Sequence, residues 1–216
     1  MGKYVGNIQG RDAWARFAPH RAQVMRLLAG GRGSLAVLGA GNLNDLDLGA
    51  LQRSYEAIHA IDVDEDAVRL GIERQSARVE IHAPVDLAAP LPPLGPFDVV
   101  LSAGVLTQLI LDGDTLALRD KHLADLAALA RGRVVLVTDV VSSSTAPSVL
   151  GAADLEAEMA ALVAARNFFT GANPYRLAAL LEADDRLCDV RLHDPWLWRV
   201  TADREHLTCA LTARRR

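Results

Sequence analysis

The residues most able to do chemistry are a short glycine loop and an aspartate that follows it. The loop Gly39-Ala40-Gly41 comes directly after an apolar run, where glycine permits a tight turn and lets a ligand approach the main chain. A helix is predicted to begin after the loop, and its free N–H groups would attract an anion. Asp62 follows a second apolar run, and its carboxylate is placed to accept hydrogen bonds from two ribose hydroxyls. Together these features predict a nucleoside-binding site, whereas the glycines alone would indicate only a tight turn.

The spacing of the glycines disfavours a nicotinamide dinucleotide as that ligand. A dinucleotide-binding loop has a third glycine three positions after the second, and this chain has Asn44 there. Without that glycine the helix packs less closely on the strand, and pyrophosphate is less well accommodated. A helical segment also precedes the first predicted strand, which is uncommon in NAD domains. An NAD(P) enzyme is therefore the weaker alternative.

Short apolar runs that alternate with helix-like segments supply the elements that would position this site. The runs predicted to be strands lie at 35–38, 57–61, 79–82, 98–101, 134–137, 188–192 and 207–211. Strands that alternate with helices indicate an α/β domain whose parallel sheet is covered on both faces. No helix is evident between the last two runs, so we expect them to pair antiparallel, joined by a connection at 195–198.

Composition excludes several classes of protein. The chain has 216 residues, half of them apolar, and a net charge of −4. That balance indicates one globular domain and argues against a nucleic-acid or membrane partner. Two cysteines are too few for a disulfide framework, and no apolar stretch is long enough to span a bilayer. We expect a cytoplasmic protein, and basic residues that are nearly all arginine indicate a GC-rich bacterial genome.

Four stretches, in this order, resemble motifs of the class I S-adenosylmethionine-dependent methyltransferases. They are the glycine loop, the segment Ala-Ile-Asp-Val-Asp at 60–64, the segment Pro-Val-Asp-Leu at 84–87 and the fourth predicted strand at 97–102. The resemblance implies that Asp62 holds the ribose, Val63 lies against the adenine and Asp86 accepts from the adenine amino group. The residues that the resemblance places at the cofactor are Gly39, Ala40, Gly41, Asp62, Val63, Asp86, Leu87 and Ser102.

The same resemblance implies a Rossmann-like fold: seven strands, mostly parallel, helices on both faces, an antiparallel last strand between the fifth and sixth, and an N-terminal helical segment. It divides a single domain into a helical lid at 1–33, a cofactor-binding core at 34–140, and substrate-side helices with the last two strands at 141–216. The implied activity is methyl transfer from S-adenosylmethionine to a small-molecule acceptor.

Two departures from the family pattern leave other functions open. Val37 stands where the family has an acidic residue, and Leu43 stands where it has a third glycine. Asp45 would either supply the missing carboxylate or stabilise the first turn of a helix. A reshaped methionine pocket would suit a same-fold enzyme that uses S-adenosylmethionine for intramolecular cyclisation or aminoalkyl transfer. A catalytically inactive scaffold of the same fold is the remaining alternative.

Methyl transfer itself requires an in-line approach and exclusion of water, and a general base only if the acceptor is protonated. The side chains that could face the reacting groups are Tyr4, His20, Thr107 and Gln108. For His20 the alternative is a surface histidine, and for Thr107 and Gln108 it is the exposed start of a helix. The histidines and cysteines show no metal-ligand spacing along the chain, so no metal is predicted.

Overall fold

The computed structural model describes residues 10–111 and 115–216. Its strands are β1 (Ser34–Leu38), β2 (Ala57–Ile61), β3 (Glu80–His82), β4 (Phe97–Ala103), β5 (Ala130–Ser142), β6 (Leu187–Arg199) and β7 (Glu205–Arg215). Its helices are α1 (Ala18–Leu28), α2 (Leu48–Leu51), α3 (Glu65–Gln75), α4 (Val105–Leu111), α5 (Thr115–Leu129), α6 (Leu155–Ala164) and α7 (Pro174–Glu182), with a 3₁₀ turn at Pro147–Gly151. Within the described ranges, no helix is both long and apolar enough to cross a membrane.

The strands form one seven-stranded sheet in the order β3-β2-β1-β4-β5-β7-β6. The strands from β1 to β5 pair in parallel, and β7 runs antiparallel between β5 and β6. The predicted sheet, including its inserted antiparallel strand, is therefore confirmed. From Leu35 to Leu38 the central strand β1 is apolar and buried, because a parallel sheet is covered on both faces.

Alternate residues of the central strands build two apolar layers. On one face Ala36 and Leu38 of β1 pack with Leu126 of α5 and with α7. On the other face Leu35 and Val37 pack with α1 and α3. Side chains of a strand point to opposite faces in turn, so each strand contributes to both layers. The prediction of helices on both faces is confirmed.

The connection expected at 195–198 is wrong, because these residues belong to β6. The strand continues through Pro195 to Arg199, and its register on β7 shifts between His193 and Trp196. β6 ends the sheet on that side, so a proline there removes no hydrogen bond between two inner strands. The irregularity lets one long strand contain a residue that normally interrupts strands.

The helix expected directly after the glycine loop is also absent. The next helix, α2, is a single turn that begins at Leu48 and is capped by the Asp47 carboxylate. Between Gly41 and Asp47 the chain is irregular, and Leu43 takes a left-handed conformation with φ 53°. Asp45 therefore precedes the helix, and its interpretation as a first-turn acid is wrong.

Candidate functional site

A cavity opens at the carboxyl ends of β1 to β4, the edge at which open α/β sheets bind ligands. Its volume is about 190 Å³. The loops after β1, β2 and β3 supply one wall, and α4 with the start of α5 supplies the other. The lining residues are Gly39, Asp62, Val63, Val85, Asp86, Leu87, Ala88, Val105, Gln108, Leu109 and Leu118.

Asp62 is held in place by the backbone of two loops. One carboxylate oxygen accepts from the N–H of Gly41 and the other from the N–H of Asp64, each at 2.8 Å. Burial raises the pKa of the Asp62 carboxyl, while these backbone N–H groups act in the opposite direction. A carboxylate has about four lone-pair positions, and the N–H of Val63 also acts on this one. Asp62 therefore still has room to accept from a ligand hydroxyl without losing its own support.

Close packing fixes the position of the glycine loop against α4. Gly39 has φ 69°, and a Cβ atom there would overlap the side chain of Val105 at the start of α4. Both conditions favour glycine, because an L side chain rarely adopts such a φ and the space is already filled. The loop and the helix thus form two sides of the same cavity.

The structure brings most of the predicted cofactor residues together. Gly39, Asp62, Val63, Asp86 and Leu87 all line the cavity, whereas Ala40, Gly41 and Ser102 do not. The N–H of Gly41 donates a hydrogen bond to the Asp62 carboxylate.

Ser102 is fully buried within β4. Its hydroxyl lies 2.8 Å from Nε2 of His122, so it contacts α5 rather than the cavity. The expectation that Ser102 lines this cavity is wrong because its side chain points into the core under the helix.

A second group of polar side chains is buried where β5, β7 and α4 meet. Asp139 is only 5% exposed. One of its oxygens accepts from the Thr208 hydroxyl at 3.1 Å, and the other accepts from Thr107 at 3.4 Å and lies 3.2 Å from Nδ1 of His206. Asp139 pairs with Thr208 in the sheet, and His206 lies two residues earlier on the same side of β7. Because β7 runs antiparallel to β5, Thr208 and His206 lie beside Asp139 at the carboxyl edge of the sheet.

His20 joins this polar group from α1. The ring is 2% exposed, stacks on Trp198 at 4.4 Å, and accepts at Nδ1 from the indole N–H of Trp196 at 3.0 Å. An accepting Nδ1 places the proton of the neutral ring on Nε2, which lies 3.5 Å from Oδ1 of Asp45. Burial lowers the pKa of His20 to about 4, and the charge of Asp139 opposes that shift. His20 is thus a neutral buried ring at pH 7, and its interpretation as a surface histidine is wrong.

Asp45 carries an oxygen that is enclosed and unsatisfied. Among the described residues no hydrogen-bond donor in good geometry reaches its Oδ1, although the side chain as a whole keeps 25% exposure. Burial raises the pKa of Asp45 to about 7, the charge of Asp139 raises it further, and Arg21 lowers it. A buried acceptor without a donor is costly, so this oxygen is suited to a ligand that brings one.

Aromatic rings border the polar group on two sides. Trp198 meets Phe17 edge-on at 5.1 Å and His206 at 6.0 Å. Phe169 contacts His206 at 5.7 Å, and its own N–H donates to the carbonyl of Val140 at 2.8 Å, which docks the segment on β5. Phe169, which belongs to an aromatic-rich turn at 168–175, thus lies against this polar group.

The catalytic candidates from the sequence separate into three positions. His20 and Thr107 both reach the buried polar group, and Thr107 is 7% exposed, so its interpretation as an exposed helix start is wrong. Gln108 is exposed and lines the first cavity. Tyr4 lies outside the described residues.

Asp139 and His206 were not predicted as a pair. The sequence did offer a signal for Asp139, because this aspartate follows an apolar run as Asp62 does.

Comparison with known proteins identifies the fold. No protein-family model matches the chain, and no curated protein sequence does. Among solved structures, the N-methyltransferase NodS from Bradyrhizobium japonicum, in complex with S-adenosyl-l-homocysteine, superposes with a TM-score of 0.57 and 15% identity over 93% of this chain and 87% of that one. Magnesium protoporphyrin IX methyltransferase (ChlM) from Synechocystis, also with S-adenosylhomocysteine bound, gives 0.52 and 17% over 97% and 84%. The YcgJ protein from Bacillus subtilis gives 0.58 and 13% over 92% and 99%. The fold is that of the class I S-adenosylmethionine-dependent methyltransferases.

Proposed function

We propose that the protein is an S-adenosylmethionine-dependent methyltransferase that acts on a small-molecule acceptor. The observation that carries the proposal is the cavity in which Asp62, Asp86 and Gly39 converge at the carboxyl edge of the sheet. NodS and ChlM, which share this fold, were solved with S-adenosylhomocysteine.

The cavity suits the nucleoside part of that cofactor. Its volume of about 190 Å³ lies below the roughly 300–1,000 Å³ of sites that enclose a whole drug-sized ligand. Asp62 would accept from the ribose hydroxyls and Asp86 from the adenine amino group. Val63 and Leu87 would supply apolar contacts to the adenine ring. When bound, the cofactor supplies an electrophilic methyl group.

The fold accommodates the missing third glycine at Leu43. Leu43 stands at that position and takes φ 53°, the left-handed conformation that glycine favours. Its side chain is 1% exposed and packs in the core beside α1 and α3, which offsets the cost of that conformation. Leu43 can therefore take the backbone conformation that a glycine would take at this position, which supports methyl transfer over the reactions that need a reshaped pocket.

The buried polar group is suited to removing a proton from the acceptor. Oδ2 of Asp139 lies 3.2 Å from Nδ1 of His206, so an imidazole that can take up a proton stands beside a carboxylate. Trp198 and Phe169 border that ring, and aromatic faces next to carboxylates attract a cation. These features favour an amine acceptor, whose proton passes to His206 before its nitrogen attacks the methyl group.

Parallel calorimetric titrations with S-adenosylmethionine, S-adenosylhomocysteine and NADH test the cofactor. We expect micromolar binding of the two adenosyl ligands and none of NADH. Incubation with S-adenosylmethionine and a panel of amines then tests the reaction. S-adenosylhomocysteine as product supports methyl transfer, whereas methylthioadenosine means that the aminoalkyl side chain was used. If none of the three ligands binds, the proposal is overturned and the inactive scaffold is favoured.

A further inference from the structure

Three side chains with metal-ligating atoms converge on the outer edge of the sheet, away from the buried polar group. Nδ1 of His59 lies 3.1 Å from Nε2 of His82 and 3.2 Å from Oε2 of Glu80. The ligating atoms of all three residues lie within 4.8 Å of one another. Two imidazoles and a carboxylate thus face a common point.

The register of two parallel strands produces this convergence. His59 of β2 is paired with Glu80 of β3, and Ile61 is paired with His82. Paired residues point to the same face, and so do residues two apart on one strand. His59, Glu80 and His82 therefore share a face, and the Phe97 ring, at 4.8 Å, packs against His59 from the neighbouring apolar layer.

Hydrogen bonding between these groups accounts for only part of the arrangement. A neutral His59 has one proton at most on Nδ1, and that proton can serve either Nε2 of His82 or the Glu80 carboxylate. A divalent cation placed between them would serve all three. Ligands of tetrahedral zinc, with bonds of about 2.0–2.2 Å, lie roughly 3.3 Å apart, close to the two short separations observed here. The third separation, between Glu80 and His82, can shorten because the Glu80 side chain is exposed.

We propose that His59, Glu80 and His82 form a binding site for a divalent first-row transition metal such as zinc. Two histidines and one carboxylate leave a fourth position for water, and the 65% exposure of Glu80 gives that position access to solvent. The metal would clip β3, a strand of only three residues, to β2. This inference does not depend on the proposed methyl transfer.

A metal bound at this site would also stabilise the main chain around the first cavity. The carbonyl of His82 accepts from the N–H of Asp62 at 3.2 Å, and the carbonyl of Asp62 accepts from Val85 at 2.8 Å. Asp62 and Val85 both line the cavity. A metal that fixes His82 therefore fixes the main chain from which Asp62 projects.

Titration of the full chain, stripped of metal with a chelator, tests the site. We expect one equivalent of ZnCl₂ to bind with micromolar or tighter affinity by calorimetry. With CoCl₂ we expect the visible absorption of a tetrahedral nitrogen and oxygen complex. Glu80→Gln, at an exposed position, and His82→Gln should each weaken binding by at least about tenfold, since even outer-shell partners of a metal act on that scale.

His193→Gln is the matched control. His193 is also a partly buried strand histidine, bonded through Nε2 to the Thr212 hydroxyl at 2.9 Å, but it lies on β6 at the opposite end of the sheet. Circular dichroism checks that each variant is folded. The proposal is overturned if the native chain shows no saturable one-to-one binding, or if Glu80→Gln binds zinc as tightly as His193→Gln does.

Discussion

Replacing Asp62 with asparagine tests how the cavity binds a nucleoside. The amide keeps one acceptor oxygen, but its NH₂ group must face either the N–H of Gly41 or that of Asp64, both of which now donate to the carboxylate at 2.8 Å. One backbone donor loses its partner and one ribose hydroxyl loses a charged acceptor. A hydrogen bond to a charged group contributes about 1.5–3 kcal/mol. We therefore expect S-adenosylhomocysteine to bind about 30- to 150-fold more weakly, a loss of about 2–3 kcal/mol.

Calorimetry on two nucleosides separates a local effect on the ribose from a general loosening of the loop. Adenosine and 3′-deoxyadenosine are titrated into the native chain and into Asp62→Asn, which forms a thermodynamic cycle. We expect removal of the hydroxyl to weaken binding to the native chain markedly and to the variant only slightly. Asp184→Asn, at a surface carboxylate paired with Arg186, is the control. Equal losses in both proteins, or an Asp62→Asn affinity within threefold of native, would refute the role of Asp62 at the ribose.

Three further predictions follow from the packing and charges of the site. Gly39→Ala should lower the free energy of unfolding by about 2 kcal/mol or more, because the new Cβ would overlap Val105 at a position with a positive φ. Adding Val105→Ala should restore part of that loss in urea melts, and no restoration would contradict the overlap. Since burial raises the pKa of Asp45 to about 7, its contribution to stability is complete below pH 4 and is lost as the pH rises through 7. Asp45→Asn should therefore gain up to about 4 kcal/mol on the native chain between pH 4 and 8, and a difference that does not change with pH counts against the shift. Asp139→Asn should lower kcat for methyl transfer about 10²- to 10⁴-fold while S-adenosylhomocysteine affinity stays the same, and an unchanged kcat rejects the proton-removal role.

The strands of the sheet were predictable because their positions depend on local composition. Apolar runs mark β1, β2 and β4, which are buried on both faces. The true length of β6 was not predictable, because an outer antiparallel strand alternates polar and apolar residues and tolerates Pro195. The helix expected after the glycine loop failed for a local reason, since Leu43 turns the chain and the Asp47 cap delays the helix to Leu48.

The site was predictable where a residue directly follows a strand and was not where distant segments meet. Asp62 and Asp86 follow β2 and β3 along the chain, so their place at the carboxyl edge could be inferred. The contact between His20 and Trp196 joins residues 176 positions apart, and no local pattern encodes it. His59 and His82 were missed as neighbours for a related reason: their proximity comes from the register between two strands rather than from spacing along one element.

The insertion of β7 between β5 and β6 constrains the order in which a nascent chain can fold. Asp139 and Thr208, bonded across β5 and β7, are 69 residues apart, so β5 is synthesised long before its partner. Until β7 arrives, β5 presents an open edge of unpaired backbone groups, which is a template for another chain. A hairpin of β6 and β7 from a second molecule offers the same edge contacts, so crowded synthesis or refolding at high concentration should favour hairpin-exchanged dimers.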